Sequence, residues 1–427
     1  MNAAIIFILL AALMLTGMPV SISLGLTVLT FLFGFTDVPL ESVALKLFTG
    51  IEKFEIMAIP FFILAGNFLT HGGVARRMIN FATSMVGHWY GGLGLGGVLA
   101  CALFAAVSGS SPATVVAIGS ILLPAMVKAG FPKRFGAGVI TTSGALGILI
   151  PPSIVMVMYA VATNTSVGAL FMAGVVPGIA LALVLGGVTY WRARKNNYPR
   201  LPKASWGERW AAFRKSAWGL FLIIVVMGGI YAGIFTPTEA AAMSAVYAFI
   251  VAVFIYKDLG LKDVPRVLLS SANMSAMLLY IITNAVLFSF IMANENIPQA
   301  LAEWMLGNGL EVIAFLLAVN VLLLLAGNFM EPSSIVLIFA PILFPVAMKL
   351  GIDPVHFGII MVVNMEVGMC HPPVGLNLYV ASGITKMGIT ELTVAVWPWL
   401  LSMLVFLGLV TYWPGLSLWF PRMLGML

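Results

Sequence analysis

The stretch AAVSGSSPATV at residues 105–115 decides the fold of this 427-residue chain. It lies between two apolar runs, yet it is built from small and hydroxyl residues around Gly109 and Pro112. A regular helix does not continue across a glycine and a proline placed so close together. Non-helical backbone at membrane depth is tolerated only where protein or a water-filled cavity satisfies its N–H and C=O groups. The stretch therefore predicts the tip of a re-entrant hairpin that holds an ion and part of a substrate.

The composition places this tip in a membrane protein. The chain is 61% hydrophobic and 8% charged, whereas a soluble domain carries roughly 25% charged residues. Apolar runs of about twenty residues recur along its length, which is typical of a polytopic α-helical membrane protein. Residues 1–35 lack a basic leader, so we expect a retained first helix. Cys101 and Cys370 lie in apolar surroundings and indicate neither a disulfide framework nor a zinc site.

Two halves repeat one order of elements, and a basic linker at 192–215 separates them. We expect a first helix over 3–35, with Pro19 inside it, and a polar connection over 71–91. Before the linker we expect scaffold helices and an amphipathic arm at 1–91, and a first transport repeat at 92–191 that comprises a hairpin at 92–129 and a broken helix at 133–163. After the linker we expect scaffold helices and a second amphipathic arm at 216–310, and a second transport repeat at 311–427 that comprises a hairpin at 311–349 and a broken helix at 354–384.

Charge sets the expected orientation in the membrane. The linker carries eight basic residues against the single acid Glu208, so the positive-inside rule places it in the cytoplasm. The other loops then alternate and leave outside only four of the 21 basic residues, which are Lys46, Lys53, Lys349 and Arg422. The same alternation results if either hairpin is a full two-helix crossing. Re-entrancy therefore depends on the broken tips and on the internal repeat.

The hairpins and broken helices of the two halves align at a constant offset of 221 residues. Gly147 matches Gly368, and the pair Pro151-Pro152 matches Pro372-Pro373. Further matches are Val115 with Val336, Pro124 with Pro345, Lys128 with Lys349, and Gly130 with Gly351. Because the two hairpins enter from opposite sides, we expect inverted repeats. Inverted repeats with discontinuous helices meeting at the midplane are typical of secondary transporters, whatever their cargo.

Each half offers a hairpin tip and a helix break that could hold ligands. Serine hydroxyls, and carbonyls freed at the proline pairs, are hard oxygen ligands suited to Na⁺. Helix N-termini direct positive dipole ends at the centre, which favours an anion. Packing alone would explain one proline break, but four breaks in matched pairs favour a binding centre. The four helices concerned are expected to begin after Pro112, Pro152, Pro332 and Pro373.

Several polar side chains at membrane depth are candidates for function. Glu331 and Glu366 lie in apolar runs, where an acid suggests proton coupling, cation binding, or a neutral acid bonded to a hairpin backbone. His371 beside Cys370 suggests a metal or a nucleophile, but a packing role at the break fits better because no second ligand cluster supports it. The side chains expected to face a cavity, each also compatible with simple packing, are Thr114, Thr141, Thr142, Asn364 and Asn377.

These motifs resemble the large membrane subunit of tripartite ATP-independent periplasmic (TRAP) transporters. The resemblance covers nearly the whole chain. It is carried by Val107–Thr114, by Leu123-Pro124 with Gly130, by Ile150–Ser153 and by Gly327–Glu331. It implies an elevator-type, Na⁺-coupled importer of organic acids in the bacterial inner membrane. The chain has no P-loop, which agrees with transport driven by an ion gradient or by another chain.

The resemblance also implies sites and partners. One Na⁺ would lie between Ser108–Ser111 and Gly147–Ile150, and a second between Gly327–Met330 and Gly368–His371. The residues expected at Na⁺ are Ser108, Ser110, Ser111, Gly147, Ile150, Gly327, Asn328, Met330, Gly368 and His371. Those expected at the organic acid are Thr114, Thr141, Thr142, Ser333, Ser334, Asn364 and Asn377. Members of the family carry C4-dicarboxylates, sialic acid or other acids, with a slight preference here for sialic acid. The partners would be a separate four-helix membrane subunit and a periplasmic binding protein.

Two other functions remain open at this point. A proton-coupled carrier would use Glu331 and Glu366. An intramembrane hydrolase would use one of Ser108–Ser111 with His371, and would need the two side chains within hydrogen-bond reach.

Overall fold

The computed structural model of the chain describes residues 2–36, 38–307, 311–328, 330–372 and 375–427. Every regular element in these ranges is a helix, which confirms the all-α class expected from the sequence. Eight of the described helices are long and apolar enough to cross a membrane. Two residues of the predicted breaks, Phe329 of the second tip and Pro373 of the second proline pair, lie outside the described residues.

The N-terminal apolar run forms two helices instead of one. Helix α1 spans Asn2–Leu15 and α2 spans Val20–Phe35, so the prediction of a single helix over 3–35 is wrong. Gly17 has a φ of +84°, and Pro19 directly precedes α2. A left-handed glycine ends a helix, and a proline lacks the N–H that a continuing helix would donate.

An amphipathic arm and the first stretch long enough to cross a membrane follow. Helix α3 spans Leu40–Thr49, a 3₁₀ turn at Phe54–Met57 leads into α4 (Ala58–His71), and α5 spans Val74–Val86. The sequence predicted only a polar connection where α5 lies. That prediction is wrong because the segment is amphipathic and its apolar residues recur at helical spacing. They form one buried face, which comprises Val74, Ala75, Met78, Ile79 and Ala82.

The first hairpin and broken helix follow in the order that the sequence predicted. Only Gly109 and Ser110 separate the two hairpin helices. The break begins earlier than its proline pair, because a 3₁₀ turn at Gly144–Ile148 replaces the α-helix. The helices are α6 (Gly92–Ser108), α7 (Ser111–Lys128), α8 (Lys133–Ser143), α9 (Ile154–Thr163) and α10 (Val167–Lys195).

The basic linker is shorter than the predicted 192–215. Helix α10 continues to Lys195, and α11 (Trp206–Tyr231) begins within the basic run. Ser205 and Glu208 form a capping box: Ser205 N donates to Glu208 Oε2 over 2.6 Å, and Glu208 N donates to Ser205 Oγ over 3.2 Å. Such a reciprocal pair satisfies free N–H groups of the first turn and fixes where the helix starts.

The remaining helices carry the second half of the chain. A π-helical turn at Val251–Ile255 extends the first of them. In chain order they are α12 (Pro237–Ile250), α13 (Val264–Asn294), α14 (Ile297–Gly307), α15 (Val312–Gly327), α16 (Pro332–Lys349), α17 (Pro354–Cys370), α18 (Leu376–Thr385), α19 (Ile389–Tyr412) and α20 (Gly415–Met423).

Helix α17 lies at the centre of the molecule. It is buried from Val355 to Cys370 and packs against α15, α16, α19 and the 3₁₀ turn at Gly144–Ile148. Tyr159 of α9 donates its hydroxyl to the Pro354 carbonyl oxygen over 2.7 Å and thereby ties the start of α17 to the first half. The end of α17 is the second break, which this packing holds in the interior.

Candidate functional site

The first hairpin tip is a turn rich in backbone and hydroxyl oxygens. Gly109 adopts a φ of +61° at the end of α6, which a residue with a Cβ would adopt only with strain. The Thr114 hydroxyl donates to the Ser110 carbonyl oxygen over 2.9 Å, and Ser108 Oγ lies 2.9 Å from Thr114 Oγ1. Thr114, which was predicted at the organic acid, therefore belongs to the same turn as the predicted ion ligands Ser108 and Ser110.

This tip packs directly on the first break. A Cβ added to Gly147 would lie 2.6 Å from the Ser110 carbonyl oxygen and 2.8 Å from Ser111 Cα. On the other side of the tip, a Cβ added to Gly109 would lie 2.9 Å from the Pro152 carbonyl oxygen. These neighbours are backbone atoms, which cannot move aside as a flexible side chain can. The structure thus brings together Ser110, Ser111 and Gly147, three of the residues predicted for one ion.

A buried cluster links the first tip to the second broken helix. Asn377 Nδ2 donates to Ser111 Oγ over 2.8 Å and to the Thr141 carbonyl oxygen over 3.3 Å, and Ser111 Oγ donates to Asn377 Oδ1 over 3.0 Å. Cys370 Sγ lies 3.7 Å from Asn377 Nδ2 and donates to the Thr141 carbonyl oxygen over 3.5 Å. Ser111, Thr141 and Asn377 are completely buried. Three of the predicted residues from the two halves therefore meet at one place.

The second tip packs on the second break in the same way. A Cβ added to Gly327 would lie 2.9 Å from Gly368 Cα. The Asn328 side chain lies 2.9 Å from His371 Nδ1, and with its amide nitrogen turned to the break it also donates to the Pro372 carbonyl oxygen over 3.1 Å. The predicted members of the second ion site, Gly327 with Gly368 and Asn328 with His371, are thus neighbours. Met330, also predicted there, donates its N–H to the Ala326 carbonyl oxygen over 3.1 Å.

Glu331 caps a helix. It is the N-cap residue of α16, and its Oε1 accepts hydrogen bonds from Ser334 N over 3.2 Å and from Ser334 Oγ over 3.3 Å. An N-cap oxygen satisfies one of the free N–H groups at the start of a helix. Of the roles considered for Glu331, hydrogen bonding to the hairpin backbone has direct support from this geometry. Ser333 and Ser334, predicted at the organic acid, are buried in the first turn of α16.

Glu366 lies in a different environment. Its side chain is completely buried in α17, and neither of its oxygens has a hydrogen-bond partner in the described residues. A buried carboxylate without partners is costly, so such a group is protonated or holds a cation. Glu366 is therefore the acid that remains available for chemistry.

Two of the predicted cavity-facing side chains have partners outside the tips. Asn364 Nδ2 donates to Asn320 Oδ1 of α15 over 2.8 Å, and Asn364 Oδ1 has no partner in the described residues. Thr142 Oγ1 donates to the Gly138 carbonyl oxygen over 2.8 Å, within its own helix. Both side chains are completely buried. Their predicted contact with cargo stays a prediction.

The geometry gives no support to a hydrolase. His371 Nδ1 faces Asn328, whereas Ser108 faces Thr114 and Ser111 faces Asn377. No hydrogen bond between His371 and a serine of the first tip occurs in the described part of the chain. The activated nucleophile that hydrolysis would need is not formed there.

Two contributors to this centre were missed in the sequence. Ser143 directly precedes the 3₁₀ turn at the first break, is completely buried, and has no hydrogen-bond partner for its hydroxyl among the described residues. Gly66 of α4 approaches the first tip, where an added Cβ would lie 3.1 Å from the Ser108 carbonyl oxygen. Ser143 could have been predicted, because it is a hydroxyl residue directly before the break that starts at Gly144. No local sequence feature pointed to Gly66. Ile150, predicted at the same ion, is half-buried just beyond the turn.

Comparison with known proteins agrees with the family resemblance seen in the sequence. Residues 7–416 match the family described as "Tripartite ATP-independent periplasmic transporter, DctM component". The C4-dicarboxylate TRAP transporter large permease protein DctM of Rhodobacter capsulatus is 78% identical, with 100% of both chains covered. The protein of the same description from Pseudomonas aeruginosa is 55% identical, with 95% of both chains covered. The sialic acid TRAP transporter large permease protein SiaM of Vibrio cholerae is 36% identical, with 96% of both chains covered.

A solved structure shares the fold. The YdaH transporter of Alcanivorax borkumensis superimposes with a TM-score of 0.61 at 14% sequence identity, and the match covers 88% of this chain and 89% of that one. At this identity the likeness concerns the fold alone.

Proposed function

The chain belongs to the DctM component family of tripartite ATP-independent periplasmic transporters, and on that premise we propose that it is a Na⁺-coupled importer of a C4-dicarboxylate. It is a large TRAP permease subunit and a multi-pass membrane protein, not an enzyme. The observation that carries the Na⁺ proposal is the contact of each hairpin tip with a helix break, Ser110 with Gly147 and Gly327 with Gly368.

The C4-dicarboxylate class is supported by the degree of similarity. The relatives described as C4-dicarboxylate permeases are 78%, 55% and 49% identical to this chain, whereas the sialic acid relative is 36% identical. The slight preference for sialic acid in the sequence has no residue of the site behind it. A dicarboxylate also suits a centre toward which helix N-termini point.

The residues at each tip fit a small hard cation. Na⁺ would be held at the first tip by oxygens of Ser108, Ser110 and Ser111, with Gly147 at the break. The buried hydroxyl of Ser143 beside this break lacks a partner in the described residues, as expected for an atom that a ligand would satisfy. At the second tip the corresponding residues are Gly327, Asn328, Gly368 and His371. A bound Na⁺ would supply positive charge beside the carboxylates of the cargo.

Inverted repeats and an elevator motion complete the proposal. Gly147 and Gly368 match at the offset of 221 residues, and each lies directly against the backbone of a hairpin tip. Repeats inverted across the membrane would let one body carry its site between the two sides. The moving body would comprise residues 92–191 and 311–427, and the scaffold the remaining membrane helices.

The proposed assembly has three parts. A small four-helix membrane subunit would pack on the scaffold, and a periplasmic binding protein would deliver the dicarboxylate. The complex would lie in the bacterial inner membrane, with the basic residues of the linker in the cytoplasm.

The experiment that tests this proposal is uptake of labelled succinate into vesicles that contain the chain, its membrane partner and the binding protein. A Na⁺ gradient should drive accumulation, and replacing Na⁺ by choline should abolish it. Sialic acid, presented with the same components, should not accumulate. Undiminished uptake without Na⁺ would contradict the proposal.

A proton-coupled carrier is the second candidate, because Glu366 is buried without partners in the described residues. Uptake driven by a pH gradient in choline buffer would favour it. Replacing Glu331 and Glu366 together by Gln should then abolish uptake. Wild-type rates in that double variant would rule out proton coupling through these acids.

A further inference from the structure

Two of the four basic residues expected on the outer side of the membrane line a pocket of about 220 Å³. Lys46 lies on α3, and Lys53 lies in the segment between α3 and α4. The opposite walls are formed by Ser289 of α13, Val161 of α9 and Pro341 of α16. Basic residues are disfavoured on the outer side, so their convergence on one pocket needs an explanation.

The pocket lies beside α16, the hairpin helix that begins at the second tip. Helix α16 begins at Pro332 next to that tip, and its Leu337 and Pro341 line the pocket. At the rise of an α-helix these two residues are about 8 and 14 Å along the axis from Pro332. Helix α9, which starts after the first break, contributes its far end through Val161 and Ala162. In the expected orientation the pocket thus lies between the outer surface and the binding centre.

The close approach of α3 to α13 shapes the pocket. A Cβ added to Gly50, at the end of α3, would lie 2.7 Å from Val286 Cγ1. The pocket is therefore a cleft between the arm, α13 and the two helices of the proposed moving body.

The polar groups in this cleft are hydrogen-bond donors, and some of their N–H and O–H groups have no acceptor in the described residues. Lys46 Nζ lies 5.5 Å from the centre of the Phe290 ring and forms no ion pair in the described residues. Lys53 Nζ donates to the Val161 carbonyl oxygen over 2.6 Å and to Asn164 Oδ1 over 2.7 Å, which leaves one of its three N–H groups. The Ser289 hydroxyl has no partner in the described part of the chain.

The charge balance of the cleft is positive. Burial lowers the pKa of Lys53 and outweighs the opposing effect of nearby Glu55, which does not line the cleft. An anion bound beside Lys53 would offset the cost of burying its ammonium group. Lys46 and Lys53 thus bring two basic groups to one cleft, which suits a ligand with negatively charged oxygens.

We propose that the Lys46–Lys53 cleft is an anion site that receives one carboxylate group of the cargo before it reaches the hairpin tips. The identity of the cargo rests on the proposed function, whereas the existence of the anion site rests on the cleft alone. Phosphate oxygens, free or on a lipid headgroup, share the same chemistry, and the experiment separates these sources.

The experiment measures the reactivity of a cysteine placed in the cleft. Thr49 lines the cleft, and its hydroxyl donates to the Leu45 carbonyl oxygen within α3, so Thr49→Cys removes no donor from the site. The two native cysteines are buried and should react slowly. An anionic and a neutral methanethiosulfonate reagent are compared on the purified complex. Replacing Lys46 and Lys53 by Gln should lower the anionic-to-neutral rate ratio about tenfold, since a positive cleft raises the local anion concentration.

Matched variants make the outcome specific. Lys46→Arg with Lys53→Arg keeps the charge and should keep the ratio, and Lys349→Gln removes an outer lysine outside the cleft and should also keep it. A ratio unchanged by the Gln variant would overturn the proposal, as would an equal fall with Lys349→Gln. Comparable melting temperatures of the Gln and Arg variants exclude a folding defect as the cause.

Protection of the Thr49→Cys thiol from labelling identifies the ligand. Succinate at millimolar concentration should slow labelling of Thr49→Cys in detergent, and the double Gln variant should lose this protection. Protection by inorganic phosphate or by nanodiscs with anionic lipid, without protection by succinate, would overturn the assignment to cargo. The labelling needs neither a Na⁺ gradient nor transport. Failure of Na⁺-driven uptake would therefore count against the proposed function and leave the anion site standing.

Discussion

Ser111 and Asn377 are 266 positions apart in the chain, yet they exchange two hydrogen bonds in a completely buried cluster. Neither residue is charged, and the carbonyl of Thr141 shares the same amide. Buried polar groups are stable only when paired, so these hydrogen bonds hold the first tip against the second broken helix. The predicted role of Asn377 and Thr141 at the cargo can be tested at this cluster.

Removing the amide of Asn377 tests this role. In Asn377→Ala the Ser111 hydroxyl and the Thr141 carbonyl lose a buried partner, at a cost of about 1–3 kcal/mol. If the Asn377 amide also contacts the dicarboxylate, loss of a contact of about 1.4 kcal/mol should lower uptake per folded molecule roughly tenfold. Uptake and melting temperature are measured on the same preparation.

Asn320→Ala is the matched control, because Asn320 is also buried and also bridges two helices by its amide, to Thr411 and Asn364. It should lower the melting temperature by a similar amount while uptake per folded molecule is retained. Equal losses of uptake in the two variants would mean that the Asn377 cluster only supports the fold.

At the scale of elements, the decisive contacts join a hairpin tip to a helix break. Each contact is a backbone approach through glycine, Gly147 against Ser110 and Gly368 against Gly327. The breaks differ in form, since the first passes through a 3₁₀ turn and α17 of the second stays helical up to Cys370. Glu331 caps α16 in the second half, whereas Ser110 holds the equivalent place in the first. The two halves therefore share a spacing but not a set of side chains.

Adding one methyl group at a tip contact should weaken Na⁺ binding at the proposed sites. In Gly147→Ala the new Cβ would lie 2.6 Å from the Ser110 carbonyl oxygen, and in Gly368→Ala 2.9 Å from Gly327 Cα. The tip must then move away from the break, with a packing cost of about 1–3 kcal/mol. We expect the Na⁺ concentration for half-maximal uptake to rise in both variants.

Gly383→Ala provides the comparison, because Gly383 also lies in a helix of the second half and an added Cβ would meet nothing within 4 Å. It should leave the Na⁺ dependence unchanged. An unchanged Na⁺ dependence in Gly147→Ala and Gly368→Ala as well would contradict the placement of ions at the tips.

At the scale of the whole molecule, the two predicted transport repeats interlock. Trp399 Nε1 of α19 donates to Thr189 Oγ1 of α10 over 2.8 Å, and Arg134 of α8 pairs with Glu391 of α19 over 2.9 Å. The scaffold helices contact one another in turn, as in the hydrogen bond of 2.8 Å from Asn67 of α4 to Ser271 of α13. Proposed scaffold and transport helices also pack on one another, as α5 does on α6 and α13 on α16. An elevator motion would require these contacts to slide.

Cross-linking tests that motion. Gly168 of α10 and Ile230 of α11 belong to different proposed bodies, and a Cβ at Gly168 would lie 3.5 Å from Ile230 Cγ2. A Gly168→Cys, Ile230→Cys pair joined by a short thiol cross-linker should stop uptake, and a reducing agent should restore it. The pair Arg134→Cys, Glu391→Cys lies within the moving body and should tolerate the same treatment. Full uptake after complete 168–230 cross-linking would exclude relative movement of the two bodies at this contact.

Much of the architecture was determined by the sequence alone. A glycine and a proline three residues apart, among small hydroxyl residues, disfavour an unbroken helix, so Gly109 and Pro112 marked the first tip. The apolar composition required helices to satisfy the backbone in a membrane. The motifs at the tips also identified the family, which comparison over residues 7–416 confirmed. These features depend on local chemistry or on composition, and both can be read along the chain.

Other features were decided only by the tertiary structure. The pairing of Ser111 with Asn377, the placement of Asn364 toward α15, and the approach of Gly66 to the first tip all depend on which helices become neighbours. The Lys46–Lys53 cleft depends in addition on the path of α3 across α13. No local pattern encodes such neighbours, because helix packing is set by the summed fit of many side chains. The sequence therefore marked the two tips and the proline pairs of the two repeats, and the packing of the helices decided what each of them faces.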